Sequence, residues 1–101
     1  MARVELSPKA ESMLDEIIRD RGVDDFLLDR LTEKLEEIAR NPVLHTEPAK
    51  LPYPPNRLMA NFILNDITAR LWGFTVTLRR LSDEEGIYIL TINAAPYPSG
   101  G

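Results

Sequence analysis

The chain has 101 residues and a net charge of −4; 44% of its residues are hydrophobic and 28% are charged. A chain of this length holds one small core and is too short for two, and its composition is that of a globular protein. It has no cysteine, which excludes a disulfide framework and a thiolate nucleophile. It shows neither a run of about 18 apolar residues nor a secretory signal, so we expect a cytoplasmic protein with no membrane partner.

The charge is unevenly distributed along the chain. Residues 41–81 hold five basic and two acidic residues, whereas the segments on either side are acidic. An acidic chain disfavours binding to nucleic acid irrespective of sequence, because such binding depends on neutralising many phosphates. A local basic patch in the middle of the chain and an ordinary solvated surface both remain open.

The first half of the chain predicts a strand and two helices. Apolar and charged residues alternate in "ARVEL", as in a short half-buried strand. Ser7 and Pro8 form a helix start, with a side-chain cap followed by a residue whose missing N–H costs nothing there, and Gly22 ends that helix. Asp24 begins a second amphipathic helix, which stops at Asn41. Two such helices with a short link form an antiparallel hairpin.

The second half predicts a connector followed by three strands. Residues 41–56 hold five of the eight prolines, which indicates an extended, semi-rigid connector inside the domain. After it, apolar residues recur at every second position in "RLMANFIL", "ARLWGFTVTLRRL" and "IYILTIN". Asn65 and Asp66 predict a hairpin turn between the first two strands, and "SDEEG" predicts a turn before the third.

These elements predict an α+β fold of strand, helix, helix and three antiparallel strands, with the helix hairpin packed on one face of a small sheet. We expect a single domain over residues 1–98 and a flexible tail over residues 99–101. Strand alternation places a set of polar side chains on the face opposite the helices. The set is Asn61, Thr75, Thr77, Arg79, Thr91 and Asn93.

Most catalytic constellations are missing from the sequence. His45 is the only histidine and lies in the proline-rich connector, so neither a multi-histidine zinc site nor a serine–histidine pair is predicted. The sequence has no glycine-rich phosphate loop, and we expect no metal and no cofactor. A polar, arginine-bearing sheet face is suited to phosphate, because guanidinium groups donate paired hydrogen bonds to phosphate oxygens. The alternative is a hydrated sheet face with arginines at its edge.

Several segments resemble the RelE/ParE-type toxins. "ARVELS" followed by "SPKAESMLDEI" is similar to the opening strand and helix of that family, and "LEEIARNP" resembles its second helix. "ITARLWGFTVTL" and "GIYILTINA" are similar to its last two strands. The resemblance extends over nearly the whole chain and lies in the pattern of its elements.

The resemblance implies a small toxin held inactive by an antitoxin. One branch of the family cuts messenger RNA on the ribosome, through attack of the RNA 2′-hydroxyl on the neighbouring phosphate, and the other poisons DNA gyrase. For the nuclease branch, the resemblance implies that Arg70 is the arginine of the penultimate strand, that Arg79 and Arg80 contact phosphate, and that Tyr97 is the acid–base residue. The tail "NAAPYP" lacks the basic pair common in the family nucleases, so the sequence leaves open whether the chain is an enzyme.

A second hypothesis is a non-enzymatic interaction module with the same fold. The open sheet face would then bind a peptide, an antitoxin-like protein or a second copy of the chain. The residues expected to contact such a partner are Met59, Asn61, Ile63 and Ile87. Tyr97, held between Pro96 and Pro98, would serve as an aromatic anchor or simply end the strand.

Overall fold

The computed structural model describes residues 2–49, 56–82 and 85–96. These residues form an α+β fold, as the sequence predicts. The elements in chain order are β1 (Arg3–Leu6), α1 (Pro8–Arg21), α2 (Asp25–Arg40), α3 (Pro42–His45), β2 (Glu47–Pro48), β3 (Leu58–Asn65), β4 (Leu71–Arg80) and β5 (Gly86–Pro96). No helix within the three described ranges is long and apolar enough to cross a membrane.

Both long helices begin and end where the sequence predicts. The Ser7 hydroxyl oxygen accepts a hydrogen bond from the Ala10 N–H at 3.0 Å, and an Asp24 carboxylate oxygen accepts one from the Leu27 N–H at 2.8 Å. Each cap satisfies an amide that has no partner inside its own helix. Gly22 ends α1 with a φ of 67°, in the left-handed region that glycine tolerates.

The five strands form one sheet in the order β1-β5-β4-β3-β2. β3, β4 and β5 pair antiparallel, which confirms the three antiparallel strands expected from the sequence. β1 lies beside β5 and runs parallel to it, so the first strand of the chain forms one edge of the sheet. A parallel neighbour requires a crossover connection, and the helices α1 and α2 lie in the segment that follows β1.

The described part of the connector between α2 and β3 contains two elements that the sequence does not predict. Residues 42–45 form the single helical turn α3, and β2 adds two residues beside β3. Both elements are compatible with proline. Pro42 occupies the first turn of α3, where its missing N–H needs no partner, and Pro48 lies in an edge strand. The remainder of the connector, residues 50–55, lies outside the described ranges.

A β-bulge at Leu90 changes which side chains of β5 face the core. β4 pairs with Thr91 on one side of Leu90 and with Ile89 on the other, which leaves Leu90 without a partner on β4. The extra residue reverses the alternation, so odd-numbered residues are buried before it and even-numbered residues after it. The Ser7 hydroxyl donates to the Leu90 carbonyl oxygen at 3.0 Å and links the bulge to the start of α1.

The bulge corrects the prediction that Ile87 contacts a partner. Simple alternation along "IYILTIN" places Ile87 on the same face as Thr91, away from the helices. In the structure Ile87 and Ile89 are completely buried, and so is Ile92 beyond the bulge. Ile87 is therefore a core residue, and its neighbour Tyr88 takes its place on the other face.

The core lies between the helices and one face of the sheet. Its largest completely buried side chains come from both layers, and they are Trp72, Leu27, Ile38, Leu78, Ile87, Ile89, Ile92 and Val76. Burying one aliphatic side chain of this kind stabilises a fold by about 1.5–3 kcal/mol. We call the other side of the sheet the open face. It carries Asn61 and Ile63 of β3, Thr75 and Arg79 of β4, and Tyr88 of β5.

Candidate functional site

One end of the open face brings four charged or aromatic residues into a row. Tyr88 of β5 is directly opposite Arg79 of β4 on one side and Glu5 of β1 on the other. Continuing the register of β3 and β4 by one residue sets the backbone of Arg57 opposite Arg79. Neighbouring strands are about 4.8 Å apart, so the row crosses four strands in roughly 15 Å. We call Arg57, Arg79, Tyr88 and Glu5 the arginine row.

The guanidinium group of Arg79 stacks on the ring of Tyr88. Its Cζ lies 4.7 Å from the ring centroid, and a cation–π contact of this kind contributes about 0.5–1 kcal/mol at an exposed site. At the β1 end of the row, the Arg3 guanidinium lies 3.0 Å from the Glu5 carboxylate. Nε of Arg57 is buried and makes no hydrogen bond to any residue that the structure describes. Guanidinium groups beside a stacked aromatic ring suit phosphate binding and base stacking.

The structure separates the residues predicted for catalysis into two groups. Arg79 and Arg80 lie together at the end of β4, and Arg80 is exposed. Arg70 precedes the start of the same strand, so roughly 30 Å of extended chain separates it from Arg80. Its guanidinium lies 5.3 Å from the centroid of the Trp72 ring. Tyr97 lies outside the described residues, and the catalytic roles of all four residues stay predictions.

Three of the four residues predicted to contact a partner lie on β3. Met59 is half-buried, Asn61 is exposed, and the side chain of Ile63 is 47% exposed. Gly73 of β4 lies opposite Ile63, and because glycine has no side chain a shallow hollow opens beside Ile63. The fourth residue, Ile87, belongs to the core. The open face therefore offers an apolar contact at Ile63, with Ala95 and Pro96 among the residues that line the same hollow.

An apolar groove of about 490 Å³ forms a second candidate surface, at the β1 edge of the sheet. It opens between β1 and the two long helices. Val4 and Leu6 of β1, Leu14 of α1 and Leu28 of α2 line it, and all four side chains are only half-buried. We call this feature the edge groove. Incompletely covered apolar surface next to a strand edge is typical of places where proteins bind one another.

The turn between β3 and β4 is built around the buried carboxylate of Asp66. One of its oxygens accepts hydrogen bonds from the Thr68 hydroxyl at 2.6 Å and from the backbone N–H groups of Thr68 and Arg70 at 2.9 and 3.0 Å. The other oxygen accepts one from the Trp72 indole N–H at 3.0 Å. The hydrogen bonds from the Thr68 hydroxyl and then the Trp72 indole are the largest causes that lower the pKa of Asp66 from 3.8 to about 2.

The lowered pKa of Asp66 predicts a specific dependence of stability on pH. The ionised carboxylate stabilises the folded chain above about pH 4, and this contribution is lost as the pH falls towards about 2. We expect Asp66→Asn to be less stable than the wild type at neutral pH, and the difference to shrink on acidification. Urea unfolding of both proteins between about pH 6 and about pH 2 measures the difference.

Thr68→Val provides the matched control for Asp66→Asn. It removes the largest cause of the lowered pKa and keeps the carboxylate, so its stability should fall less steeply with acid than that of the wild type. A stability difference between the wild type and Asp66→Asn that stays constant with pH would show that the carboxylate is not held in its ionised form by these contacts.

Reasoning from the sequence identifies Arg79 but not the other members of the arginine row. Tyr88 is missed because alternation without a bulge points it into the core. Glu5 is missed because only the fold brings β1 beside β5. Arg57 had a usable signal, since alternation along β3 puts it on the same side as Asn61.

No protein-family model, no curated protein and no solved structure matches this chain. The structure agrees with the α+β class that the sequence predicts, but it does not show the RelE/ParE-type topology, because the sheet has five strands where the sequence predicts four.

Proposed function

We propose that the chain is a toxin of the RelE/ParE type that acts on RNA in translation through the arginine row. The observation that carries the proposal is the position of Arg79. Its guanidinium group stacks on the Tyr88 ring of β5, and the backbone of Arg57 lies opposite it on the β3 side. Guanidinium groups hold phosphate oxygens by paired hydrogen bonds, and a neighbouring aromatic ring stacks on an unpaired base. The net charge is negative, so binding would depend on this local cluster and not on the charge of the whole surface.

Cleavage of bound RNA makes three further demands. A group must accept the proton of the attacking 2′-hydroxyl, cations must stabilise the charge that builds up on the phosphate, and the leaving 5′-oxygen must take up a proton, which water can supply, as its bond to phosphorus breaks. Within the row, Glu5 is the carboxylate that would accept the proton, and Arg79 is the cation nearest the stacked ring. A toxin of the gyrase type would not depend on these groups, so variants of the row distinguish the two modes of action.

Growth of a bacterial host after induction tests the proposal. We expect the wild type to arrest growth and Arg79→Ala/Arg80→Ala to restore it, because loss of a contact to the charge that develops in the transition state lowers kcat by about 10²–10³-fold. Arg19→Ala is the matched control, since Arg19 is an exposed arginine of α1. It should arrest growth like the wild type. Mapping of messenger-RNA ends in the arrested cells then locates the cuts.

The remaining outcomes distinguish the alternatives. Arrest by the double variant would contradict action through the arginine row and favour the gyrase mode. Relief of arrest by Arg70→Ala as strong as that by the double variant would restore the hypothesis of one site containing all the predicted arginines. If neither the wild type nor any variant arrests growth although soluble expression is confirmed, the toxin proposal is contradicted.

The edge groove favours a second candidate function, that of a non-enzymatic interaction module. Its half-buried lining leaves apolar surface at the edge of the core, and binding a partner there would remove that surface from water. This function implies harmless expression together with stable association through the groove. An antitoxin would be such a partner in the toxin proposal, so harmless expression is the result that separates the two functions.

A further inference from the structure

The backbone of β1 has hydrogen-bonding groups directed away from the sheet. Arg3 N–H donates to the Glu85 carbonyl at 3.1 Å, and Ser7 N–H donates to the Ile89 carbonyl at 2.9 Å. In a strand, the N–H and C=O of one residue point to the same side and those of the next residue point to the other. The backbone groups of Val4 therefore face outward, at the edge of the sheet that the described residues form. Such an edge is a template for a further strand.

The sequence of β1 is complementary to itself in the antiparallel direction. When two copies of "RVEL" pair about Val4, Val4 lies opposite Val4 of the other copy, and the two residues exchange both backbone hydrogen bonds. Arg3 of each copy then lies opposite Glu5 of the other copy. These opposite-charge pairs occupy the positions where antiparallel strands bring side chains closest. A two-fold axis repeats every favourable contact.

The edge groove gives the same pairing an apolar component. Val4 and Leu6 point into the groove, whereas Arg3 and Glu5 lie on the opposite side of the strand. A two-fold axis perpendicular to the sheet places both grooves side by side on one face of the joined sheet. A stable dimer needs about 1,000 Å² of buried surface or more, which two short strands do not reach alone. A dimer in this arrangement therefore has to bury apolar surface of the two adjacent grooves as well.

We propose that the chain forms a two-fold symmetric dimer by antiparallel pairing of β1 with β1 of a second copy. The two five-stranded sheets become one continuous sheet, and both helix layers lie on the same side of it. The second copy is the occupant of the edge because its charges complement Arg3 and Glu5 in the one register that also aligns Val4 with Val4. The inference does not depend on the toxin proposal, because it rests on β1 and the edge groove alone. For the interaction-module function, it names a second copy of the chain as the partner.

Sedimentation equilibrium of the full chain, from about 1 to about 500 μM, tests the dimer. We expect a wild-type dimer at the upper end of this range. Arg3→Glu sets two carboxylates opposite each other at both charged positions of the pairing, and Glu5→Arg does the same with two guanidinium groups. Each variant should raise the dissociation constant about tenfold. The double variant Arg3→Glu/Glu5→Arg restores opposite charges and should return the constant to within about threefold of the wild type.

Mixing the two single variants adds a test that is specific for pairing between copies. Arg3→Glu and Glu5→Arg each self-associate poorly, but together they place opposite charges at both positions, so an equimolar mixture should form heterodimers. Arg19→Glu makes the same change of charge at an exposed position on α1 and should leave the dimer unaffected. Circular dichroism checks that every variant is folded.

Three results would overturn the proposal. The first is a wild-type monomer at every concentration, which would leave the edge to a strand from a different protein. The second is a dimer that Arg3→Glu does not weaken. The third is that the double variant and the equimolar mixture both associate as weakly as the single variants. Pairing in this register requires that both regain tight association. Growth arrest is measured separately, so each of these results is independent of the toxin proposal.

Discussion

Gly86→Ala is expected to destabilise the fold by about 3 kcal/mol or more, because the position combines a positive φ with a close backbone contact. Gly86 opens β5 with a φ of 142° and pairs with Arg3 of β1. A Cβ there would lie 2.2 Å from the Arg3 carbonyl oxygen and 2.8 Å from the Arg3 nitrogen. These are backbone atoms, so relief of the clash requires β1 to move away from β5.

Gly22→Ala is the matched control for Gly86→Ala. Gly22 also has a positive φ, of 67°, but a Cβ built there meets no atom within 4 Å. Its substitution should cost only about 1–2 kcal/mol, the strain of the left-handed conformation. In thermal unfolding, we expect Gly86→Ala to lower Tm by at least roughly 10 °C. Equal losses of stability in the two variants would contradict the close approach of β1 to Gly86.

Ile87→Ala is expected to destabilise the fold by about 2–5 kcal/mol, since it removes most of a side chain that is completely buried. The surrounding strands and helices cannot close fully over the space, so the loss includes a cavity as well as the transfer of the side chain. Urea unfolding at neutral pH measures the change in the free energy of unfolding. An m-value equal to that of the wild type would show that both proteins expose the same amount of surface on unfolding.

Ile63→Ala makes the same chemical change on the open face. Ile63 is 47% exposed, so its truncation should cost less than about 1 kcal/mol. The pair tests the bulge directly, because an unbroken alternation along β5 would put Ile87 on the same face as Ile63. Similar losses in the two variants would contradict the placement of Leu90 as an extra residue.

The position of Ile87 also bears on the arginine row. The shift that buries Ile87 turns Tyr88 towards the open face, where it meets Arg79. Growth assays on Arg79 variants and unfolding experiments on Ile87 variants therefore test two consequences of the bulge at Leu90. Loss of the bulge would remove the stacked ring from the row while it exposed a core residue.

Local signals predicted the helices and the general positions of the turns. Caps at Ser7 and Asp24 and a left-handed glycine at position 22 act within a few residues, so they can be read directly from the sequence. The turn at Asp66 was predicted with two residues but spans residues 66–70, because the Asp66 carboxylate binds N–H groups further along the loop. The Asp66 carboxylate also accepts a hydrogen bond from the indole of Trp72, which belongs to the next strand.

By itself, the sequence determined the type and order of the main elements, the apolar stripes of the helices and the placement of Arg79 on a polar sheet face, because these follow from periodicity and local chemistry. Only the tertiary structure decided that β1 lies beside β5, that Leu90 bulges, and that Arg79 stands next to Tyr88. Such features arise from contacts between distant parts of the chain. The hydrogen bond from Ser7 to the bulge joins residues 83 positions apart, and no local pattern records it.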